Sequence, residues 1–298
     1  MRIETYTILD WIVDIDKLNW NCLSENPNAI HLLEDNPKKI NWQILMYNSS
    51  PDAMRLIEKN QDKINWETLC YNPNAMRLIE KNQDKINWTS LSRNPHPDAW
   101  NLLKVNMYRA SWLSLMENPN AVPCIEQNPP TGYYWHYLSS NPNAIHMIEQ
   151  NLDKICWRIL SLNPNAIHIL EKNIERVCWG HLARNPNAIH ILEKYPENVD
   201  WFNTSDKPHA IRLLEKNQDK INWNSLSRNP NAIHLLEKNQ DKINWLQLGK
   251  NPAIFRRHLN YKFFEERMNI IREELMMKCM HPTRLERFLE LGGVIDDF

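Results

Sequence analysis

Apolar and polar positions recur along most of this chain in a unit of about 22 residues, clearest from Asp219 to Asn239 (DKINWNSLSRNPNAIHLLEKN). Within it Ala232, Ile233, Leu235 and Leu236 fall at i, i+1, i+3 and i+4, one face of a helix, while His234, Glu237 and Lys238 fall on the other. Asn229-Pro230 supplies an N-cap acceptor and a first-turn proline, so this helix, helix B, begins there. It ends after about three turns at Asn239, a residue type suited to the left-handed C′ position, recurring as Asn60, Asn82, Asn151, Asn173 and Asn217. Upstream, Asp219 is placed to cap a second short α or 3₁₀ segment, helix A, which carries Ile221, Trp223 and Leu226 and stops before Pro230.

The unit repeats. Trp20, Trp42, Trp66, Trp88, Trp112, Trp135, Trp157, Trp179, Trp201, Trp223 and Trp245 are spaced 22 to 24 residues apart, which makes ten complete repeats and the start of an eleventh. Two such short helices bury their apolar faces only by stacking on neighbours, so the pattern predicts an all-α fold: an α-solenoid of about eleven two-helix repeats. The Trp series, Leu23 to Leu248 with Thr204 as the exception, and Ile40, Ile64, Ile86, Ile155 and Ile221 form the expected core ladders. The repeats span 16–251. Residues 1–15, with Trp11 and Ile12, read as an N-terminal cap, and 252–298 as a helical C-terminal cap. That cap has one helix near 262–280 bearing Met268, Ile271, Leu275 and Met276, and a second from Pro282 to Leu291 stopped by Gly292. Eleven layers at roughly 8 to 10 Å each predict a rod or arc on the order of 100 Å long.

Three departures mark particular layers. Extra residues at Ser49-Ser50-Pro51-Asp52 and Pro95-His96-Pro97-Asp98 are expected to bulge from one rim. Pro129-Pro130-Thr131-Gly132-Tyr133-Tyr134 replaces the usual turn and predicts a local kink. The unit at Trp201 substitutes Thr204 for Leu and Lys207-Pro208-His209 for Asn-Pro-Asn, losing a core rung and a cap.

The phrase NPNAIHLLEKNQDKINWxxLS resembles the tandem repeats of giant nucleocytoplasmic DNA viruses of the mimivirus type, over about four fifths of the chain. In layout it is also similar to the leucine-rich repeat variant, where α and 3₁₀ helices alternate around an Asn-Pro or Asp-Pro step. The tail, with Glu273-Glu274-Leu275-Met276 and His281-Pro282-Thr283-Arg284-Leu285, resembles a terminal segment of proteins from the same viruses. The resemblance implies interaction modules, with a virion component as one concrete version.

Composition narrows the chemistry. The formal charge is −1 and there are only five Gly among 298 residues, and no GxSxG, GxGxxG, GxxxxGK or HExxH occurs. No enzyme and no cofactor is expected. Ser24, Ser92, Ser139, Ser161 and Ser227 recur in register where Met46, Cys70, Ala183 and Gly249 also stand, which reads as a small residue for close packing rather than a nucleophile. Helix B carries a secondary ladder of His31, Arg55, Arg77, His146, His168, His190, Arg212 and His234, interrupted by Asn101 and Pro123. Helix spacing is too wide for two such His to share a zinc ion without long reaches, so no metal is expected. A nucleic-acid-binding solenoid is the alternative function, weakened because a Glu follows most of these residues by three, as Glu149 does His146 and Glu215 does Arg212. Cys156 and Cys178, before Trp in adjacent repeats, read as unoxidised semi-buried thiols. No secretory or membrane-spanning segment is visible, and an intracellular protein is expected, in host cytoplasm or virion if viral.

Core positions keep their identity between repeats, whereas the residues one and five after each Trp vary. They lie four apart on one face of helix A. This stripe, with Tyr47, Tyr71, Arg93, Leu113, Arg158, Leu162, Arg184, Phe202 and Arg228, is the candidate interaction surface. The expected function is a non-enzymatic scaffold that binds another protein.

Overall fold

The computed structural model describes residues 4–259, 261–279 and 281–291. It divides into two units, Leu9–Phe255 and Met1–Ile8 with Arg256–Phe298. The larger is an all-α repeat solenoid of eleven layers, numbered here by their Trp. In layer 10, helix A is Trp223–Leu226, a 3₁₀ turn follows at Pro230–Ala232, and helix B is Ile233–Lys238. A second 3₁₀ turn, Gln240–Lys242, leads into layer 11.

The caps differ from the sequence reading in ways that follow from side-chain hydrogen bonding. Helix A is capped by Asn222, directly before the Trp, which accepts from Ser225 N at 2.9 Å; Asp219 lies instead inside a separate 3₁₀ turn. Asn239 is not left-handed. Its φ is −129°, and its side-chain amide donates to Leu235 O at 2.9 Å, capping the helix from within the last turn, as Asn60, Asn82, Asn151, Asn173 and Asn217 also do. The extra residues at 49–52 and 95–98 do not form a simple bulge. They replace the 3₁₀ step by nine-residue helices, Pro51–Lys59 and Pro97–Val105, capped by Ser50 and His96.

The core is the Leu ladder of helix A with Ala and the second Leu or Ile of helix B: Leu23, Leu45, Leu91, Leu226, Ala232 and Leu236 are fully buried. The Trp ladder is not core, contrary to expectation. Trp135 is buried, but most of the series is half-buried, and Trp112 is 37% exposed. Their outer faces carry a basic side chain from the 3₁₀ turn of the following layer. Lys39 stacks over Trp20 at 4.4 Å, Arg176 over Trp157 at 5.0 Å and Lys242 over Trp223 at 4.7 Å. Lys85, Arg109, Lys154 and Lys220 do the same over Trp66, Trp88, Trp135 and Trp201.

Every layer but the ninth, which has Lys207, is joined to its predecessor by the Asn that opens the turn into helix B. Asn141 donates through its side-chain amide to Met116 O and Asn118 O at 3.0 and 2.9 Å, and its side-chain oxygen Oδ1 accepts from Asn143 N at 3.0 Å. Asn48, Asn72, Asn94, Asn163, Asn185, Asn229 and Asn251 repeat this donation into the layer before. The recurring serines add a second tie, which is more than the small-residue spacing read from sequence. Ser139 Oγ donates to Trp135 O at 2.8 Å and accepts from Cys156 N of the next layer at 2.9 Å.

The same bonds join the first layer to the last. Asn26 donates to Gly249 O and Asn251 O at 2.9 and 3.0 Å, and Asn28 to Pro252 O at 2.9 Å. Lys17 stacks over Trp245 at 5.3 Å, Lys250 pairs with Glu25 at 2.8 Å, and Leu9 N donates to Ile254 O at 2.9 Å. Trp11 packs edge-on against Trp245, not against the first repeat alone. The layers therefore close into a ring, and the expected rod or arc is corrected: each layer turns by one eleventh of a circle. A Cβ at Gly249 would sit 3.1 Å from Cys22 Cβ and 3.2 Å from Asn19 O, so the seam is tight at a register where Met46 and Met116 stand in other layers. Helices A of neighbouring layers lie closer together than helices B, which puts helix A on the inner circumference and helix B on the outer.

The smaller unit contains a two-stranded sheet, β1 (Glu4–Ile8) with β2 (Phe255–Leu259), in which Thr7 Oγ1 meets His258 Nε2 at 2.7 Å. Two helices follow, Tyr261–Cys279 and Pro282–Glu290; on the first, Met268, Ile271, Leu275 and Met276 are exposed. The helix stop assigned to Gly292 lies outside the described residues.

Closure makes a specific prediction. Asn26→Ala should cost as much stability as Asn141→Ala, about 2 kcal/mol or more, because each strands two buried carbonyls. Urea unfolding measures both. In an open stack Asn26 would face no preceding layer, so a negligible cost at Asn26 beside a large one at Asn141 would break the ring. Conversely, Lys207→Asn supplies the amide that layer 9 lacks and should raise stability by about 1 kcal/mol.

Candidate functional site

The stripe on helix A lines the inner wall because every Trp fixes the same helical register and every Asn rung fixes the same spacing. Its nine candidate residues recur at one register around that wall, but they are not equally available. Tyr47 and Phe202 are 59% and 52% exposed. Tyr71, Leu113 and Leu162 are half-buried. Arg93 pairs with Glu117 of the next layer at 2.9 Å, and Arg228 with Asp206 of the layer before at 3.0 Å. Arg158 Nε donates to His181 Nε2 at 3.3 Å, and Arg184 Nε to Asn203 Oδ1 at 3.0 Å. The sequence reading omitted Leu246, 57% exposed at the same register in layer 11, and the Glu25–Lys250 pair across the seam. The signal that would have found them was the repeat register itself, carried to both ends.

Electrostatics on this wall are set by crowding. Burial pushes the Glu117 carboxyl above its ordinary range, against the pull of Arg93 and His136. Burial, then the charges of Arg158 and Arg184, hold the His181 imidazole below its ordinary range. His209, half-buried in layer 9, is also held down by desolvation first, then by the charge of Lys207, with Asp206 opposing.

Four imidazoles of the outer ladder on helix B meet a Glu of the preceding layer rather than the Glu three residues on in their own helix. His146 meets Glu126 at 2.6 Å, His168 meets Glu149 at 2.6 Å, His190 meets Glu171 at 2.9 Å and His234 meets Glu215 at 2.8 Å. Arg55 pairs with Asp52 at 3.0 Å within its helix, while Arg77 and Arg212 are exposed. His31 packs edge-on against Phe255 at 5.6 Å, a contact across the seam.

Cys156 and Cys178 are free thiols of intermediate exposure, each standing where Asn would cap helix A. Cys178 Sγ lies 3.2 Å from His181 Nδ1. Among the described residues no group of three or more His, Cys, Asp or Glu is arranged to hold a metal ion, and no helix is long and apolar enough to cross a membrane. Compared with protein-family models, curated proteins and solved structures, the chain matches none.

The two depressed imidazoles set a pH dependence. A His held below its free value contributes stability above about pH 6.5 that is lost as the unfolded chain takes up protons at lower pH. The His209 imidazole, followed by NMR, should titrate below about 6.5. His209→Gln should also flatten the fall in melting midpoint between pH 7 and 5. An unchanged fall would mean that other groups carry it.

Proposed function

We propose that this protein is a non-enzymatic scaffold whose inner wall binds a segment of another protein. One observation carries the reading: a frame of buried Asn rungs, present in every layer but the ninth, holds the helices A in register, while the side chains they present to the ring interior differ from layer to layer. Tyr47, Phe202 and Leu246 are large apolar groups left exposed on that wall, and aromatic anchors of this kind dominate protein interfaces. The virion-component version suggested by the sequence resemblance is one setting for such a scaffold. The nucleic-acid alternative is less well supported, because carboxylates of the preceding layer meet four imidazoles of the outer ladder.

Affinity capture of partners with the full chain, repeated with Tyr47→Ala, Phe202→Ala and Leu246→Ala, tests this. Each anchor substitution should weaken capture by about 2 kcal/mol, roughly thirtyfold, while shifting folding stability by no more than about 0.5 kcal/mol. Capture of the same partners undiminished by all three would place the binding surface elsewhere. Binding whose logarithm falls steeply and linearly with the logarithm of salt would favour nucleic acid.

A further inference from the structure

The cation that covers a Trp comes from a fixed place, the third residue before the next Trp; that position is Lys or Arg in nine of the eleven layers and stacks on the indole in eight, Lys63 pairing with Asp62 instead of covering Trp42. Gly132 and Asn198 are the exceptions. At Asn198 the missing cover is replaced, because Tyr195 brings its ring within 5.5 Å of Trp179. At Gly132 it is not. The glycine has φ +51° and nothing within 4 Å of where a Cβ would stand, and among the described residues no Lys or Arg stacks on Trp112.

What lies over Trp112 instead is a cleft of about 330 Å³ walled by Trp112, Tyr134, Pro129, Pro130, Met116 and Asn128. Trp112 and Tyr134 are 37% and 39% exposed there. The volume is at the lower end for ligand clefts, roughly 300 Å³, which suits one long side chain and the backbone beside it. Trp112, Tyr134, Met116 and the two prolines offer apolar surface that packs on an alkyl stem, Asn128 and Thr131 give the cleft a polar share, and an indole face attracts the cation at the tip. The same fold shows this complement elsewhere: in eight other layers the occupant of this place is the stem and cation of a Lys or Arg.

We propose that the Trp112 cleft is a binding site for a lysine or arginine side chain presented by a partner protein, which completes from outside the rung that Gly132 leaves open. The site is separate from the inner stripe and stands or falls independently of it, because Trp112 is covered or uncovered by the turn between layers and not by helix A's inner face.

The test uses the ¹⁵N-labelled full chain titrated with the capped tripeptides Gly-Arg-Gly and Gly-Lys-Gly, with Gly-norleucine-Gly as the uncharged match and a capped Pro-Pro-Pro peptide as a competitor in kind. The readout is the Trp112 indole N–H signal, assigned from its loss in Trp112→Phe. Both basic peptides should shift that signal at millimolar concentration and bind about fivefold more tightly than norleucine, as an exposed cation–π contact of this kind supports. Thr131→Lys, which offers the chain its own cation beside the cleft, should abolish the shift while the melting midpoint is retained. Equal binding of norleucine would make the site merely apolar, and preferential binding of Pro-Pro-Pro would make it a polyproline groove; either result overturns the proposal. So does the absence of a Trp112 shift with 20-fold more basic peptide than is needed to saturate a site of roughly millimolar affinity.

Discussion

The buried asparagine of the Asn-Pro step is the interaction on which the rest of this structure depends. A side-chain amide carries two donors and an acceptor, and here all are used at once: the oxygen closes the layer's own turn while the nitrogen reaches two carbonyls of the layer before. Because helices of four to six residues leave most of their terminal carbonyls without intrahelical partners, a stack of such short helices would bury many orphan acceptors. The Asn rung supplies them with donors and fixes the spacing of layers in the same act. An apolar residue of similar size would fill the volume and leave the carbonyls bare, which costs about 1 to 3 kcal/mol for each.

Curvature shows as a difference between the two edges of each layer. Polar ties run between layers beside helix A, at the step before helix B and, as His–Glu pairs, along helix B, and neighbouring helices A approach more closely than neighbouring helices B. The Trp residues mediate between the two. In eight layers the indole gives one face to the layer interior and the other to a cation from the following turn, so these residues work as stacked spacers rather than as core filling. Repeated through every layer, the resulting wedge brings Asn26 back to Gly249 and Asn251.

The sequence made the layers legible but not their sum. Leu226, Ala232 and Leu236 could be assigned to the interior from spacing alone, because burial of a helix face leaves a 3.6-residue signature that does not depend on neighbours. Asn239 and Asp219 were misassigned because Asn and Asp compete for caps by several geometries, and residue type does not say which one wins. Trp223 suggested core because large apolar surface is usually hidden, yet the Lys242 that covers it lies 19 residues on, in the next layer. Closure was invisible for a further reason: a small angular increment per layer has no local sequence signature, and only the anomalous Gly249, in register with larger residues elsewhere, marked the seam. On the candidate wall the choice of Tyr47 and Phe202 as exposed anchors was legible, whereas the ion pairs of Arg93 and Arg228 depended on which layer faces which.

Closing the stack also changes how the molecule can come apart. A linear array of repeats unravels from its ends, where a terminal layer has one neighbour and detaches at the cost of a single interface. In this ring every layer has two, so the first layer to leave must break both interfaces at once, and only afterwards does the array possess ends. Loss of structure therefore begins with a costly opening event rather than with gradual fraying. That places the barrier to unfolding in the breaking of the first pair of interfaces and gives the ring kinetic persistence beyond what the strength of any one rung would suggest.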